Sequence, residues 1–140
     1  MRISSRYDYA CRALLELSLH WPNIEPLQIR QISIAQNIPL RFLVQILIQL
    51  KRAGLVSSVR GKAGGYRLTK KPSELSLADV LKITGSTLLP VTDLQKKNES
   101  IFDTIWDEVD GALQKLLSKI TFDGICSSVK KGSSIPAYDI

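Results

Sequence analysis

The sequence predicts a mainly α protein, a winged helix-turn-helix with a β-hairpin wing and a long C-terminal dimerisation helix. Three observations carry that expectation. Two short amphipathic patterns meet at a tight turn, Asn37-Ile38-Pro39. The apolar period then changes from 3.6 to 2 around a glycine-rich turn, Gly61-Lys62-Ala63-Gly64-Gly65. Further on, one helical apolar stripe runs from Ser100 to Ile120.

Arg6 to Leu19 reads as the first helix, with Tyr7, Ala10, Leu14 and Leu17 at helical spacing. Trp21-Pro22-Asn23 ends it, because the residue before a proline is driven out of the helical region. Ile29 to Gln36 is a short helix with Ile29, Ile32 and Ala35 expected inward. Asn37 suits a left-handed helix end, and Pro39 opens the next helix where its missing N–H costs nothing. Leu43, Ile46, Leu47 and Leu50 form the buried stripe of that helix, and Gly54 closes it. Leu55 to Val59 and Tyr66 to Thr69 read as the strands of a hairpin with a flexible, basic tip. Pro72 to Ser76 is a linker, with Ser76 capping a helix from Leu77 to Thr84, and Pro90 breaks the chain again.

The longest helix, Ser100 to Ile120, places Phe102, Ile105, Trp106, Val109, Leu113, Leu116, Leu117 and Ile120 on one stripe. Asp103, Asp107, Glu108 and Asp110 crowd its first half and Lys115 and Lys119 lie near its end, as the helix dipole favours. Eight large apolar residues on one stripe exceed what a small winged helix can cover, so this helix is expected to pair with a second copy of the chain. A last turn or two, Phe122 to Val129, precedes a polar tail.

A length of 140 residues with 44% hydrophobic content suits one small domain with an appended element. The expected division is a DNA-binding part over 1–71, a linker helix and loop over 72–99, and a dimerisation helix with its tail over 100–140. No stretch of eighteen apolar residues exists and no apolar run follows the first residues, so neither a membrane span nor a signal peptide is expected. A cytoplasmic location is the expectation.

The net charge of +6 is unevenly spread. Residues 1–71 hold 12 Lys/Arg against 3 Asp/Glu, a net of +9, and residues 72–140 hold 7 against 10, a net of −3. Between Glu25 and Glu74 there is no acidic residue. A soluble surface normally mixes signs, so a segment of one sign points to a polyanion, either nucleic acid or an anionic membrane surface. The helix-turn-helix within this window favours duplex DNA.

In such a unit the second helix enters the major groove. Arg41, Val44, Gln45 and Ile48 lie away from the buried stripe. Arg can pair with guanine, Gln with adenine, and Val can touch a thymine methyl. Arg60, Lys62, Arg67 and Lys70 cluster on or beside the hairpin, the position of a wing. Arg60 is the residue expected in a minor groove, which attracts arginine when narrow. Gly61, Gly64 and Gly65 would let the backbone approach a phosphate. They do not form a nucleotide-binding P-loop, since Ala63 rather than Ser or Thr follows Lys62.

The residues that carry a family resemblance are Met1-Arg2-Ile3-Ser4-Ser5, Tyr9-Ala10, Leu43-x-Gln45-Ile46-Leu47-x-x-Leu50, and above all the string from Gly54 through Val59-Arg60-Gly61 to Gly64-Gly65-Tyr66. On these the chain resembles the Rrf2 family of bacterial regulators, clearly over residues 1–85 and more loosely in the long helix. The resemblance implies a winged-helix DNA-binding domain, a dimer built on the long helix, and groove contacts from the recognition helix and Arg60. With it the expected DNA-facing set is Arg2, Ser4, Ser5, Arg41, Val44, Gln45, Arg60, Lys62, Gly64, Gly65, Tyr66 and Lys70.

Cluster-binding members of that family carry three cysteines in a loop before the long helix, and some use a histidine at its start. Here the stretch from Leu88 to Ser100 contains no cysteine, Ser100 stands where the last would fall, and Asp103 stands in place of the histidine. No metal and no cofactor are therefore expected. Cys11 and Cys126 read as small core residues, His20 as a partly buried helix-end residue and Trp106 as an apolar stripe residue. One histidine and two scattered cysteines cannot build a zinc site within one chain.

No catalytic constellation is present. The expected function is sequence-specific binding, as a homodimer, to a two-fold symmetric operator, with repression as the outcome. The effector is a small molecule, a partner protein or thiol oxidation. A protein-interaction winged helix and an RNA-binding winged helix are the alternatives, and Arg41 with Gln45 on the recognition helix argues against the first.

Overall fold

The computed structural model describes residues 2–88 and 100–132. Six α-helices and one two-stranded antiparallel hairpin follow in order: α1 (Ser5–Leu19), α2 (Ile29–Gln36), α3 (Leu40–Arg52), β1 (Val56–Val59), β2 (Gly65–Leu68), α4 (Leu77–Thr84), α5 (Ile101–Lys119) and α6 (Phe122–Lys130). A single 3₁₀ turn, Pro72–Glu74, leads into α4. The predicted elements are all present with ends displaced by a residue or two. The predicted loop over 89–99 and the tail over 133–140 lie outside the described residues.

Local chemistry sets the boundaries. Ser4, Ser76, Ser100 and Thr121 each cap a helix by accepting a hydrogen bond from a backbone N–H in its first turn. Ser76 and Ser100 complete reciprocal boxes with Asp79 and Asp103. Asn37 takes the left-handed conformation, φ 52°, that ends α2, as its residue type predicts. Pro39 lies one position before the first helical residue, so α3 opens at Leu40 rather than at the proline.

One buried cluster holds the chain together. It joins Tyr7, Ala10, Leu14 and Leu17 of α1 to Ile32 of α2, to Leu43, Ile46, Leu47 and Leu50 of α3, to Leu55, Val56 and Leu68 of the hairpin, and to Leu75, Val80, Leu117 and Phe122 beyond it. The core thus draws on all three of the expected stretches. Ala35, expected inward, is exposed. The inner face of α2 instead continues to half-buried Gln36, whose side-chain amide donates to the Glu16 carboxylate (2.9 Å) while its backbone carbonyl accepts from the Arg12 guanidinium (3.4 Å).

The C-terminal helices attach through a short backbone ladder. Leu77 N–H donates to the Ile120 carbonyl (3.0 Å) and Phe122 N–H to the Leu75 carbonyl (2.9 Å), with Ser76 and Thr121 paired as a β-bridge. This fixes the last turn of α5, where Leu117 is buried and Leu113, Leu116 and Ile120 are half-buried. No single described helix is long and apolar enough to cross a membrane.

Candidate nucleic-acid interface

The site grows from the turn between α2 and α3, where the chain bends by 116°. Ile38 N–H donates to the Ser33 carbonyl (3.0 Å), and the Ser33 hydroxyl donates to the Ile38 carbonyl (2.6 Å). These paired bonds lock the crossing angle of a helix-turn-helix. With Leu43, Ile46, Leu47 and Leu50 buried, helical geometry puts Arg41, Gln45, Ile48 and Arg52 on the opposite face and Val44 beside them, all exposed. Gln49, half-buried on the flank, is used internally, its amide donating to the Ile83 carbonyl (2.9 Å).

The charge at the start of α3 runs against helix stability. Its first turn holds Arg41 and no acid, and the first turn of α2 holds Arg30 and no acid, whereas α1, α4, α5 and α6 each carry an aspartate there. A cation at the positive end of a helix dipole is unfavourable until an anion arrives. Arg41 leans over the Phe42 ring (4.8 Å to its centroid), and that ring stacks on Tyr9 (5.9 Å). Phe42 thereby positions the guanidinium and keys α3 to α1.

The wing is anchored to the same unit. β1 and β2 pair with Val56 opposite Leu68 and Val59 opposite Gly65. Tyr66 also exchanges backbone hydrogen bonds with Leu27, 2.9 and 2.7 Å, adding a one-residue third strand just before α2. The Gln28 side chain, part of the α2 capping box, donates to the Lys62 carbonyl at the wing tip (3.2 Å). A cleft of about 440 Å³ lies between wing and α2, lined by Arg30, Arg60, Lys62 and Gly61 among others.

The glycines divide by what surrounds them. A β-carbon on Gly64 would collide with the Val59 carbonyl, and one on Gly65 with the Leu27 carbonyl. These two glycines make room for the chain's own backbone. Gly61, with φ 107° and open space where a side chain would be, turns the chain at the tip, its carbonyl accepting from the Gly64 N–H (3.0 Å).

Of the predicted DNA-facing side chains, Arg41, Val44, Gln45, Arg60, Lys62 and Lys70 are exposed around α3 and the wing, and none of them forms an ion pair among the described residues. Tyr66 is half-buried under the wing. Arg67 donates to the Ile24 carbonyl (3.1 Å) and Lys51 to the Ser58 hydroxyl (2.6 Å), so both are partly used inside the fold. Ser4 caps α1 and its hydroxyl also meets that of Ser86 (3.0 Å), while the Arg2 N–H donates to the Leu88 carbonyl. The N-terminal segment is thus tied to the end of α4, with the Arg2 and Ser5 side chains exposed. Sequence reasoning left Arg30 and Arg52 without a role and Ile48 outside the site. Their signal is helical phase, since Ile48 and Arg52 follow Arg41 by seven and eleven residues on the same face.

The stripe on α5 is split. Phe102, Ile105, Trp106 and Val109 are exposed along its first half, with Trp106 tilted against Phe102 (6.3 Å), and Ile101 adds to the patch. Leu113, Leu116 and Ile120 are half-buried, and Leu117 belongs to the chain's own core.

The sulfur chemistry is that of packing. Burial, then the charge of Asp8, pushes the Cys11 thiol up to about 12 against a lowering hydrogen bond with Tyr7. Burial likewise raises Cys126. His20 is more exposed than expected and sits 3.5 Å from Glu16. An iron–sulfur cluster is held by several thiolates brought together, and these two thiols lie on separate helices, α1 and α6, so among the described residues the donors do not fit one. Among the described residues no three His, Cys, Asp or Glu groups converge on a common point.

The family Rrf2, described as "Iron-dependent Transcriptional regulator", matches residues 3–128. The HTH-type transcriptional regulator IscR of Vibrio atlanticus is 31% identical over 126 residues, covering 86% of this chain and 72% of that one. Among solved structures, CymR, the global cysteine regulator of B. subtilis, superposes with a TM-score of 0.79 at 26% identity, covering 91% of this chain and 97% of that one. T. potens IscR shares the fold with a TM-score of 0.80 at 24% identity, over 99% of this chain and 95% of that one.

Proposed function

This chain belongs to the Rrf2 family and is a DNA-binding transcriptional regulator, and from that premise we propose that it binds a two-fold symmetric operator as a homodimer and represses transcription from it. The observation that carries the reading is the outward face of α3, where Arg41, Val44 and Gln45 stand exposed beside a wing whose Arg60 and Lys62 are exposed as well. In this reading α3 lies in the major groove, Arg60 enters the flanking minor groove, and Lys62, Lys70, Arg2 and Ser5 meet phosphates. Ser4, Gly64, Gly65 and Tyr66 support the interface by shaping it.

Two such heads need a two-fold axis, and the bare half of α5 supplies a self-complementary patch. Antiparallel pairing would lay the Phe102–Val109 face of one copy on the same face of the other. The division into a reading part over 1–71, a connector over 72–99 and an assembly part over 100–140 is then one of role. Operator binding proceeds without a cluster, and the effector is a small molecule, a partner protein or an oxidant acting on a thiol. The protein acts in the cytoplasm.

The test is selection of bound fragments from genomic DNA, followed by titration of one selected duplex over a salt series. Each phosphate neutralised contributes about −0.9 to the log–log slope. A dimer carrying two basic windows should give a slope on the order of −5 or steeper, with an RNA duplex of the same sequence failing to compete. A slope near zero overturns the reading.

A further inference from the structure

The outward face of α3 carries two branched aliphatic side chains that lie outside the buried core and are partly open to solvent. Val44 and Ile48 are each 38% exposed. They stand one helical turn apart, next to Gln45 and between Arg41 and Arg52. On a helix facing only water, β-branched residues lose χ1 freedom against the preceding turn and gain nothing in return. The neighbouring apolar Phe42 has its own explanation, since it stacks on Tyr9 and carries Arg41. Val44 and Ile48 anchor neither an aromatic ring nor a cation, and more than a third of each remains open to solvent.

In the major groove one base edge is apolar, the C5-methyl of thymine. We infer that Val44 and Ile48 read thymine methyl groups, so that each operator half-site carries thymines beside the base pair addressed by Gln45. The two side chains are about 6 Å apart along the helix, four residues at 1.5 Å each. That spacing matches roughly two base-pair steps of 3.4 Å, so the methyls they touch fall within about two steps of one another. This inference rests on α3 being the groove-reading helix proposed above.

The experiment uses the full-length protein and a selected operator duplex. Each thymine of the half-site is replaced in turn, in both half-sites, by deoxyuridine, which keeps every hydrogen-bonding group and deletes only the methyl. At one or two positions affinity should fall about fourfold per half-site, the transfer free energy of one buried methyl group. The double variant Val44→Ala, Ile48→Ala should bind the unmodified duplex about as weakly as the wild type binds a duplex carrying uracil at all of the affected positions, and should be indifferent to uracil there. Alanine at exposed helical sites favours the helix, and an unchanged thermal midpoint confirms the fold.

Uracil tolerated at every position, with Gln45→Ala still weakening binding, overturns the methyl reading and leaves α3 in the groove. If Arg41→Ala and Gln45→Ala are also silent while the operator is still bound, the assignment of α3 falls and the methyl reading falls with it.

Discussion

The backbone carbonyl of Leu27 fills the space where a side chain on Gly65 would stand, and the same carbonyl accepts a hydrogen bond from the Tyr66 N–H (2.7 Å). The wing is held to the start of α2 through a gap only glycine leaves open. Gly65→Ala should therefore force the bridge apart and cost about 1–3 kcal/mol, as overpacking does. That corresponds to a fall of roughly 3–10 °C in the thermal midpoint, read by circular dichroism. Gly61→Ala, with no atom in the way but a left-handed backbone, should cost less.

Arg60 and Arg67 lie on the same hairpin and differ in how they are used. Arg60 is exposed at the tip, whereas Arg67 donates to the Ile24 carbonyl. Arg60→Ala should weaken binding to a selected operator by about 1–3 kcal/mol. Arg67→Ala should lose much less affinity and show its effect in stability. Anisotropy titrations at one fixed salt concentration, paired with melting curves, separate the two.

Assembly is best probed where the chain does not need the residue for itself. Leu113 and Leu117 pack against the protein's own core, so a charge there would confuse folding with pairing. Trp106 and Val109 are exposed. Val109→Asp should give a folded monomer by sedimentation at micromolar concentration, with tight operator binding lost because one half-site alone is weak. A wild-type protein that sediments as a monomer would remove the two-fold reading altogether.

The Cys11 thiol is raised from 9.0 to about 12, chiefly by burial. A raised folded value means that the stabilisation is fully present below the unfolded value and is lost as pH climbs from about 9 toward 12. Stability contributed by this group should thus be flat through neutral pH and fall in alkali. Native protein at pH 8 should react with iodoacetamide far more slowly than unfolded protein, since the thiolate is the nucleophile. Rapid labelling of Cys11 in the folded state would mean that the thiol is open and fit for redox work.

Purified without oxygen, the protein should bind its operator with no visible cluster absorption and without stoichiometric iron or sulfide. A stoichiometric cluster lost on Cys11→Ser or Cys126→Ser would mean that ligands had been assembled between chains.

Much of this fold was legible because periodicity and caps are local. The helices of the reading head, the left-handed Asn37 and the Ser76 cap all follow from residue types within one or two turns. What the sequence concealed was the identity of the partner. The pair Gly64-Gly65 announces a close approach but not whether the approaching atom is a phosphate or a carbonyl, and the structure shows Val59 and Leu27 carbonyls. A single bridging residue such as Leu27 has no period to detect. The stripe on α5 is one pattern in sequence, yet Leu117 belongs to the chain's own core while Trp106 faces outward, because periodicity marks a face without saying what covers it. Ala35 was misplaced for a related reason, since a small residue on a short helix says little about which side meets α1.

Among the described residues, the backbone ladder joining Leu77 to Ile120 and Phe122 to Leu75 grips α5 at its C-terminal end. The helix is therefore a lever clamped at its base, about 28 Å long for 19 residues at 1.5 Å each. A tilt of roughly 10° at the clamp carries the opposite end by about 5 Å. If two chains pair through α5 as proposed, a ligand that grasps the Phe102 end would re-aim the two reading heads against the pitch of DNA, with Leu117, the core residue beside the clamp, as the pivot.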